Sequence, residues 1–281
     1  MNKEVTIILL THKSKKLVLK FIKNLYKKFR IIIVDNSNDI NLKNEILENY
    51  PEIDIHIIEN NGYGNQANYG SKLVQSEYFL ISNPDVSGLE EKDILVFLNA
   101  AKKLDNKFSV LGPRFIDANP KSLKQTIDNN DISEMKYISG ACMFFKKINF
   151  DQLNGFDENI FLYFEESDLC LRSYKINKNY QINNIKVRHD VGTSVEFQNE
   201  LERIKQSNLR TWHFIWSKFY FYKKHYGFFL AIIYFIPIII RVNFRIIFYK
   251  LKNDKTNVMK YETRKSGLYS SILNHKSYKR T

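Results

Sequence analysis

Apolar runs of strand length alternate with helically patterned segments along the first half of the chain. The runs cover residues 5–10, 31–34, 53–58 and 78–81. Between the first two, residues 14–27 carry Leu17, Phe21 and Leu25 on one helical face, and residues 42–49 follow the same spacing. This alternation predicts an α/β fold in which helices cover a mostly parallel central sheet.

Polar residues follow each of these predicted strands. The polar stretches are residues 11–12, 35–37, 60–62 and 83–85. In open α/β sheets, ligands bind beyond the carboxyl ends of the strands. We therefore expect the four stretches to form one ligand-binding edge.

The middle of the chain is predicted to continue this architecture. A helix is expected over residues 89–104 and another over residues 165–176, whose acidic start suits the helix dipole. Residues 138–146 and 180–187 are strand-like, whereas residues 105–131 read as loop.

The last part of the chain differs in kind. Residues 228–240 contain no charge and are interrupted by Pro237. As a helix they would span about 20 Å, against about 30 Å for the bilayer core. Extending the helix to cross would bury Lys224 or Arg241. We expect an interfacial or re-entrant membrane segment, with a kinked core helix as the alternative.

The two parts of the chain differ in charge. The formal net charge is +13, and residues 201–281 hold 17 Lys/Arg against 3 Asp/Glu, so the basic excess lies there. This predicts an α/β catalytic domain over residues 1–200 and a basic helical region over residues 201–281. Anionic lipid and nucleic acid are both candidate partners for that region. A hydrophobic content of 44% excludes a disordered chain.

Cysteine content bears on the compartment. Cys142 and Cys170 are the two cysteines, and both lie in apolar segments, which favours a reducing compartment over a disulfide framework. The run over residues 5–10 is too short for a signal-peptide core, so we interpret it as a strand. Cytosolic exposure is therefore expected.

Six motifs occur in an order that carries a family resemblance. They are DNS at 35–37, NGYGNQANYG at 61–70, SNPD at 82–85, GACMFFK at 140–146, GFD at 155–157 with FLYFEESDLCLR at 161–172, and His189 with Gly192 and Ser194. Together they resemble the family-2 inverting glycosyltransferases with the GT-A fold, particularly the bacterial rhamnosyltransferase-like members. The resemblance covers residues 4–200 and continues more weakly over residues 218–227 and 266–273.

The resemblance implies a donor-binding set at the ends of the strands. Asp35 matches a carboxylate that contacts the donor base, although a strand-end Asp also suits an Asx turn. The glycines from Gly62 onward either let backbone approach the nucleotide or form an ordinary turn before a helix. Amides of Asn65 and Asn68 are expected to bond donor hydroxyls. The full set is Thr11, Asp35, Asn36, Gly62, Asn65, Asn68, Asn83 and Asp85.

The resemblance also implies a divalent metal, Mg²⁺ or Mn²⁺. Asn83-Pro-Asp85 stands where the family carries its Asp-x-Asp motif, so Asp85 is the expected ligand. His189 matches a position that can complete the metal shell. Taken alone, the first motif is equally a turn and the histidine equally a structural residue.

Three carboxylates are candidates for the catalytic base. Glu165, Glu166 and Asp168 lie within one helical turn, where crowding raises a pKa and the helix start lowers it. The family usually has Asp at the position of Glu166, so this chain departs from the pattern. Glu166 is the first candidate and Asp168 the second. Alternatively, all three serve the helix start, with Asp168 pairing Arg172.

The sequence as a whole favours transfer of a sugar from a nucleoside-diphosphate donor to a saccharide or lipid-linked saccharide. The family resemblance implies L-rhamnose from a dTDP donor, in cell-surface polysaccharide synthesis at the cytoplasmic face of the membrane. A nucleotidyltransferase, a basic binding protein for nucleic acid or anionic lipid, and an inactive family member are the alternatives. With acidic motifs in the first domain, nucleic acid is not expected as a partner.

Overall fold

A computed structural model describes residues 1–116, 130–189 and 199–280. The chain divides into two compact units. The first contains the described residues of 1–157 and 165–196, and the second contains those of 158–164 and 197–281. The division lies close to the predicted boundary at residue 200, but the segment 158–164 belongs to the second unit.

The first unit is an α/β unit. Its strands are β1 Asn2–Thr11, β2 Phe29–Asp35, β3 Asp54–Ile57, β4 Tyr78–Ser82, β5 Val86–Ser87, β6 Val110–Phe115, β7 Ile132–Met135, β8 Cys142–Lys146 and β9 Asn179–His189. Its helices are α1 Lys15–Ile22, α2 Ile40–Asn49, α3 Tyr63–Lys72, α4 Glu91–Lys103, α5 Lys147–Gln152 and α6 Glu165–Ser173. The predicted α/β class is confirmed. Within residues 105–131, which were predicted as loop, the structure contains strand β6. Residues 117–129 of that segment lie outside the described residues.

The central sheet is mixed. Its strand order is β3-β2-β1-β4-β8-β6-β9-β5, with β7 paired to β9. The first four strands are parallel, and β8 then runs antiparallel to β4. Alternate residues of β1 enter different cores, Ile7 on one face and Ile8 on the other. Burial on both faces explains why this strand is a continuous apolar run rather than an alternating one.

The register brings the polar ends of the strands to one edge. Thr11 pairs with Asp35, which in turn pairs with Ile57. Ser82 at the end of β4 pairs with Cys142 at the start of β8. The stretches predicted to share an edge therefore do so, and the antiparallel β8 adds residues 140–141 to the same edge.

Helix α3 occupies the segment that the glycines suggested was a loop. Glycine is a poor helix former, so local propensity argues against this helix. Packing requires the glycine, because a Cβ on Gly70 would lie 2.6 Å from Ile8 Cγ2 and 3.2 Å from Val34 Cγ2. Gly62, at φ 99°, precedes the first residue of the helix. The glycines thus allow α3 to pack closely on the sheet and to begin at a left-handed residue.

The second unit contains three helices in its described residues, α7 Glu200–Tyr226, α8 Phe228–Leu251 and α9 Lys255–Ile272. Its core includes Phe219, Phe235 and Leu268. A Cβ on Gly267 would lie 2.5 Å from the backbone oxygen of Trp212, so α9 and α7 pack closely at this glycine.

The segment 158–164 packs against α7. The ring of Phe161 stacks on His213, with centroids 4.4 Å apart. Ser217 Oγ donates to the backbone oxygen of Leu162 at 2.8 Å. Phe164, at φ 70°, lies against α7 as well and is followed in the chain by the first residue of α6.

Helix α8 is longer than the apolar segment predicted at residues 228–240. It continues through Pro237 to Leu251 and has 24 residues. By length and composition it is the one described helix that could cross a membrane, and 22% of its most apolar 18-residue window is buried.

Candidate functional site

Asp35 ends β2 and is completely buried. Its carboxylate accepts hydrogen bonds from the backbone N–H of Ser37 at 3.1 Å and of Asp39 at 3.0 Å, and from Ser37 Oγ at 2.7 Å. The residue therefore shapes the turn between β2 and α2, as the Asx-turn alternative stated. Contact with a donor base stays a prediction.

Amide side chains join the ends of β1, β2 and β3. Asn36 Oδ1 lies 2.8 Å from His12 Nδ1, and its Nδ2 donates to Asn60 Oδ1 and to Gln66 Oε1, each at 3.2 Å. Gln66 is buried on α3 and donates to the backbone oxygens of Thr11 and Val34. Sequence reasoning missed Gln66, although it lies within the NGYGNQANYG motif at 61–70.

Thr11 offers this edge an unused polar atom. Its side chain is 2% exposed, and its Oγ1 has no hydrogen-bond partner among the residues that the structure describes. A buried hydroxyl without a partner costs free energy. The hydroxyl is therefore suited to bonding a ligand at the end of β1.

The two asparagines of α3 differ in their surroundings. Asn65 is half-buried on the first turn of α3, two residues after Tyr63. Asn68 is buried, donates from Nδ2 to the oxygen of Phe156 at 2.9 Å and accepts from its N–H at 2.9 Å. Both ends of this amide are thus bonded to the backbone of Phe156, and a bond from Asn68 to a donor hydroxyl stays a prediction. Its amide holds the 155–157 turn to α3, where Gly155 leaves room for it.

Strand pairing brings Asp85 and His189 together. Val86 of β5 pairs with His189 at the end of β9, which places the preceding residue beside the imidazole. Asp85 Oδ1 lies 3.4 Å from His189 Nε2, and the carboxylate is 3% exposed. Within the described ranges this oxygen has no hydrogen-bond partner. Gly192 and Ser194, from the same motif as His189, lie outside the described residues.

This pair fits a divalent ion that takes most of its ligands from elsewhere. Within residues 1–116, 130–189 and 199–280, no group of three or more His, Cys, Asp and Glu side chains is arranged to hold a metal. Mg²⁺ typically binds one or two carboxylates and completes its shell with substrate phosphates and water. An orphaned carboxylate oxygen beside an imidazole meets that requirement. Asn83 is half-buried, and its N–H donates to the oxygen of Ala141 at 2.9 Å.

Glu166 lies over the start of β8. A Cβ on Gly140 would be 3.3 Å from the Cβ of Glu166 and 3.7 Å from the hydroxyl of Tyr63. That hydroxyl donates to the oxygen of Gly140. Burial, and then the carboxylates of Glu165, Glu166 and Asp85, raise the pKa of Tyr63 well above its ordinary value. The tyrosine therefore stays protonated and marks the place where the acidic groups converge.

The two glutamates that begin α6 differ in environment. Glu165 is 6% exposed, and its Oε2 has no partner in the described part of the chain. Burial, and then the charge of Glu166, raise the pKa of Glu165 well above its ordinary value. Glu166 is half-buried and accepts from Ser167 Oγ at 3.2 Å. Of the two, Glu166 is the one that a solvent-borne acceptor can reach.

Asp168 lies in a buried ion pair. It is completely buried, and Arg172 Nε donates to its Oδ2 at 2.8 Å. The same guanidinium donates to the backbone oxygens of Leu153 at 2.6 Å and Gly155 at 2.7 Å. The carboxylate therefore anchors the guanidinium that joins α6 to the turn before it, as the alternative of an Asp168–Arg172 pair stated, and a role for Asp168 as base stays a prediction.

Comparison with known proteins identifies a family. The pattern of the family described as Glycosyl transferase family 2 matches residues 6–180, more than half of the chain. The chain belongs to glycosyl transferase family 2. The resemblance drawn from the six motifs is thus confirmed, and this family-2 chain can be set beside its relatives.

Two curated relatives are similar to more than half of the chain. The chain is 24% identical over 205 residues to the low-salt glycan biosynthesis hexosyltransferase Agl10 of Haloferax volcanii, a match covering 63% of each protein. It is 26% identical over 204 residues to the rhamnosyltransferase WbbL of Escherichia coli, covering 60% of this chain and 76% of that protein. The chain therefore matches less than two thirds of the length of Agl10.

Solved structures share the fold of this family-2 chain. The mannosyltransferase PcManGT from Pyrobaculum calidifontis, in complex with GDP-Man and Mn²⁺, is 12% identical with a TM-score of 0.58, covering 97% of this chain and 88% of that one. TarS 1–349 of S. aureus, in complex with UDP-GlcNAc, is 14% identical with a TM-score of 0.53, covering 97% and 92%. These likenesses support the GT-A fold.

Proposed function

We propose that this family-2 chain transfers a hexosyl group, with inversion, from a nucleoside-diphosphate sugar to a saccharide or lipid-linked saccharide. The observation that carries the proposal is the buried carboxylate of Asp85. One of its oxygens is unbonded in the described residues and lies 3.4 Å from His189, at the sheet edge where Glu165 and Glu166 also converge. A nucleoside diphosphate and its metal are the charged ligands that such an edge accommodates.

Asp85 and His189 would hold the metal, Mg²⁺ or Mn²⁺. When bound, a divalent ion neutralises charge that develops on the departing diphosphate. Support comes from the Mn²⁺ present with GDP-Man in the PcManGT structure, which shares the fold. The remaining donor contacts that we propose come from Thr11, Asp35, Asn36, Gly62, Asn65 and Asn83.

Glu166 is the proposed general base. It would accept the proton of the acceptor hydroxyl while that oxygen forms a bond to the anomeric carbon and the bond from that carbon to the diphosphate breaks. Glu165 would remain neutral because burial raises its pKa. With Glu165 neutral and Asp168 paired with Arg172, the charge of Glu166 is the unpaired one of these three carboxylates, and the helix dipole stabilises it at the start of α6. Tyr63 and Gly140 fix the surface against which Glu166 lies.

The substrates and location are the finer part of the proposal. We propose L-rhamnose from a dTDP donor, because WbbL is named a rhamnosyltransferase, and we place the reaction in cell-surface polysaccharide synthesis. Acceptors in such synthesis are often lipid-linked, and the basic residues 201–281 suit an anionic surface. We therefore place the enzyme at the cytoplasmic face of the cell membrane.

A donor panel tests the proposal. Purified full-length protein is incubated with UDP-, GDP- and dTDP-sugars, with Mn²⁺ or Mg²⁺, and released nucleoside diphosphate is measured. We expect turnover of one donor that requires metal. Asp85→Asn should abolish the metal-dependent turnover. Glu166→Gln should lower kcat by about 10²–10⁴-fold. Glu48→Gln, at an exposed carboxylate of α2, is the matched control and should leave turnover unchanged.

Three results would oppose the proposal. Release of nucleoside diphosphate from none of the donors with either metal would overturn it. Release of pyrophosphate in place of nucleoside diphosphate would indicate nucleotidyl transfer. Full activity in Glu166→Gln would remove that residue as the base while leaving the metal site in place.

A further inference from the structure

Helix α8 carries a continuous apolar stripe on its exposed side. We define the stripe as Phe229, Ile233, Ile236, Ile240, Phe244 and Ile247, which follow one another at intervals of three or four residues. Each is between 47% and 81% exposed. At 1.5 Å per residue the stripe runs for about 27 Å. Isolated apolar side chains are normal on a protein surface, but a continuous patch of this length indicates an interaction surface.

The opposite side of α8 already has its packing partner. Ala231, Phe235, Val242 and Ile246 are buried, and Phe235 belongs to the core of the second unit with Phe219 of α7. The stripe is therefore not the core-facing side of the helix. Its occupant must come from outside the described part of this unit.

Charged side chains argue against a helix that crosses a bilayer. Arg241 is exposed and lies 13 residues after Phe228, about 20 Å along a helix about 36 Å long. A crossing helix would place this guanidinium near the centre of the hydrocarbon. Lys265 of α9 adds a second charge at depth, since its Nζ donates to Asn243 Oδ1 at 2.9 Å. Both charges stay hydrated if α8 lies parallel to the membrane plane.

Basic residues border the stripe on both sides. At 100° per residue, Arg241 falls about 120° from Phe229 in one direction. Lys250, whose Nζ lies 3.0 Å from Glu262 Oε1, falls about 60° away in the other. Residues 201–281 contain 17 Lys/Arg and 3 Asp/Glu. An apolar stripe bordered by cations complements a bilayer whose headgroups are anionic.

We propose that α8 docks in the plane of an anionic lipid bilayer, with the stripe inserted at the level between headgroups and acyl chains. The stripe belongs to the second unit, whereas Asp85 and Glu166 belong to the first. The docking rests on the membrane location proposed above and names the surface and the lipid class responsible for it, and it can fail or succeed independently of glycosyl transfer.

Vesicle flotation tests the docking. Full-length protein is mixed with vesicles of 70% phosphatidylcholine and 30% phosphatidylglycerol, or of phosphatidylcholine alone, without donor or acceptor. We expect flotation with the anionic vesicles. The double variant Ile233→Gln/Ile240→Gln should lower the partition coefficient about 100-fold, because each apolar side chain contributes roughly tenfold. Leu47→Gln and Leu201→Gln, at exposed apolar positions on α2 and α7, are the controls and should float as the original protein does.

A depth measurement tests the orientation. Spin labels on Phe229→Cys, Ile240→Cys and Ile247→Cys are read by power saturation, the native Cys142 and Cys170 being buried. Equal depths at the three positions are expected for a helix in the membrane plane. A gradient, with Ile240 deepest, would overturn the in-plane orientation in favour of a crossing helix.

Other outcomes would overturn the docking itself. Absence of flotation would do so, and equal flotation with neutral vesicles would remove the anionic component. Sedimentation of a dimer that the double variant dissociates, without flotation, would assign the stripe to a second copy of the chain. Nucleoside-diphosphate release in vesicle-free buffer is measured for every variant. Loss of flotation with that release intact separates failure of docking from failure of the proposed chemistry.

Discussion

The buried pair of Asp168 and Arg172 makes a prediction that separates a structural carboxylate from a catalytic one. Asp168→Asn keeps the shape of the side chain and removes its charge. The guanidinium of Arg172, which is 24% exposed, then loses its ion pair but keeps its bonds to the oxygens of Leu153 and Gly155. Removing one partner of a buried ion pair costs about 3–5 kcal/mol. We expect about 3 kcal/mol for Asp168→Asn, since water reaches the remaining charge.

The reverse substitution should cost more. Arg172→Met leaves the Asp168 carboxylate in a position with no solvent exposure and removes the donor from two backbone oxygens as well. We expect a loss of about 5 kcal/mol in the free energy of unfolding. The order of the two losses is as informative as their size, because it follows from which member of the pair is buried more deeply.

Urea unfolding followed by far-UV circular dichroism measures both losses. Tryptophan fluorescence does not serve here, because Trp212 and Trp216 both lie in α7 of the second unit. Nucleoside-diphosphate release is measured in parallel at a temperature where each variant is folded. Per folded molecule, Asp168→Asn should retain the original kcat, whereas Glu166→Gln should not. A stable Asp168→Asn protein without activity would refute the reasoning and return Asp168 to the role of base.

Other buried groups give further tests. The raised pKa of Glu165 disfavours its charged form in the folded chain, so stability falls as pH rises from about 4.5, and Glu165→Gln should flatten that slope in a pH series of urea midpoints. Burial lowers the pKa of His213 to about 4, so about 3 kcal/mol of stability is lost as pH falls from 6.5 to 4. His213→Gln should remove that loss in unfolding followed by tryptophan fluorescence, and an unchanged profile would contradict it. Gly70→Ala places a Cβ 2.6 Å from Ile8 and should cost about 1–3 kcal/mol in urea unfolding, whereas Lys72→Ala, exposed on the same helix, should cost little.

The pattern of apolar residues predicts much of the fold, because buried parallel strands are continuous apolar runs in the sequence. The apolar runs in β1, β2 and β4 predict strands, and parallel strands necessarily bring Thr11, Asp35 and Asn83 to one edge. Helix α3 could not be predicted from its own residues. Its glycines lower helix propensity, and the reason for them is a contact of Gly70 with side chains far away in sequence.

The site was predicted less completely than the fold, because a residue type does not reveal its partner. Asn68 and Asp168 have the chemistry of ligand-binding groups, yet their partners are the Phe156 backbone and Arg172. The Asp168–Arg172 spacing did allow an i,i+4 pair, and deciding for it required the burial. Tyr63 shows the converse, since only the fold places this tyrosine among the acidic residues.

The excursion of residues 158–164 into the second unit has a consequence for modularity. A chain cut after residue 200 would keep Glu165 and Glu166 but would strip Phe161 and Leu162 of the α7 residues they pack on. The first unit is thus built from two chain segments, and residues 158–164 of the second unit lie between them in the sequence. An exchange of the C-terminal helices between relatives must therefore include these seven residues as well.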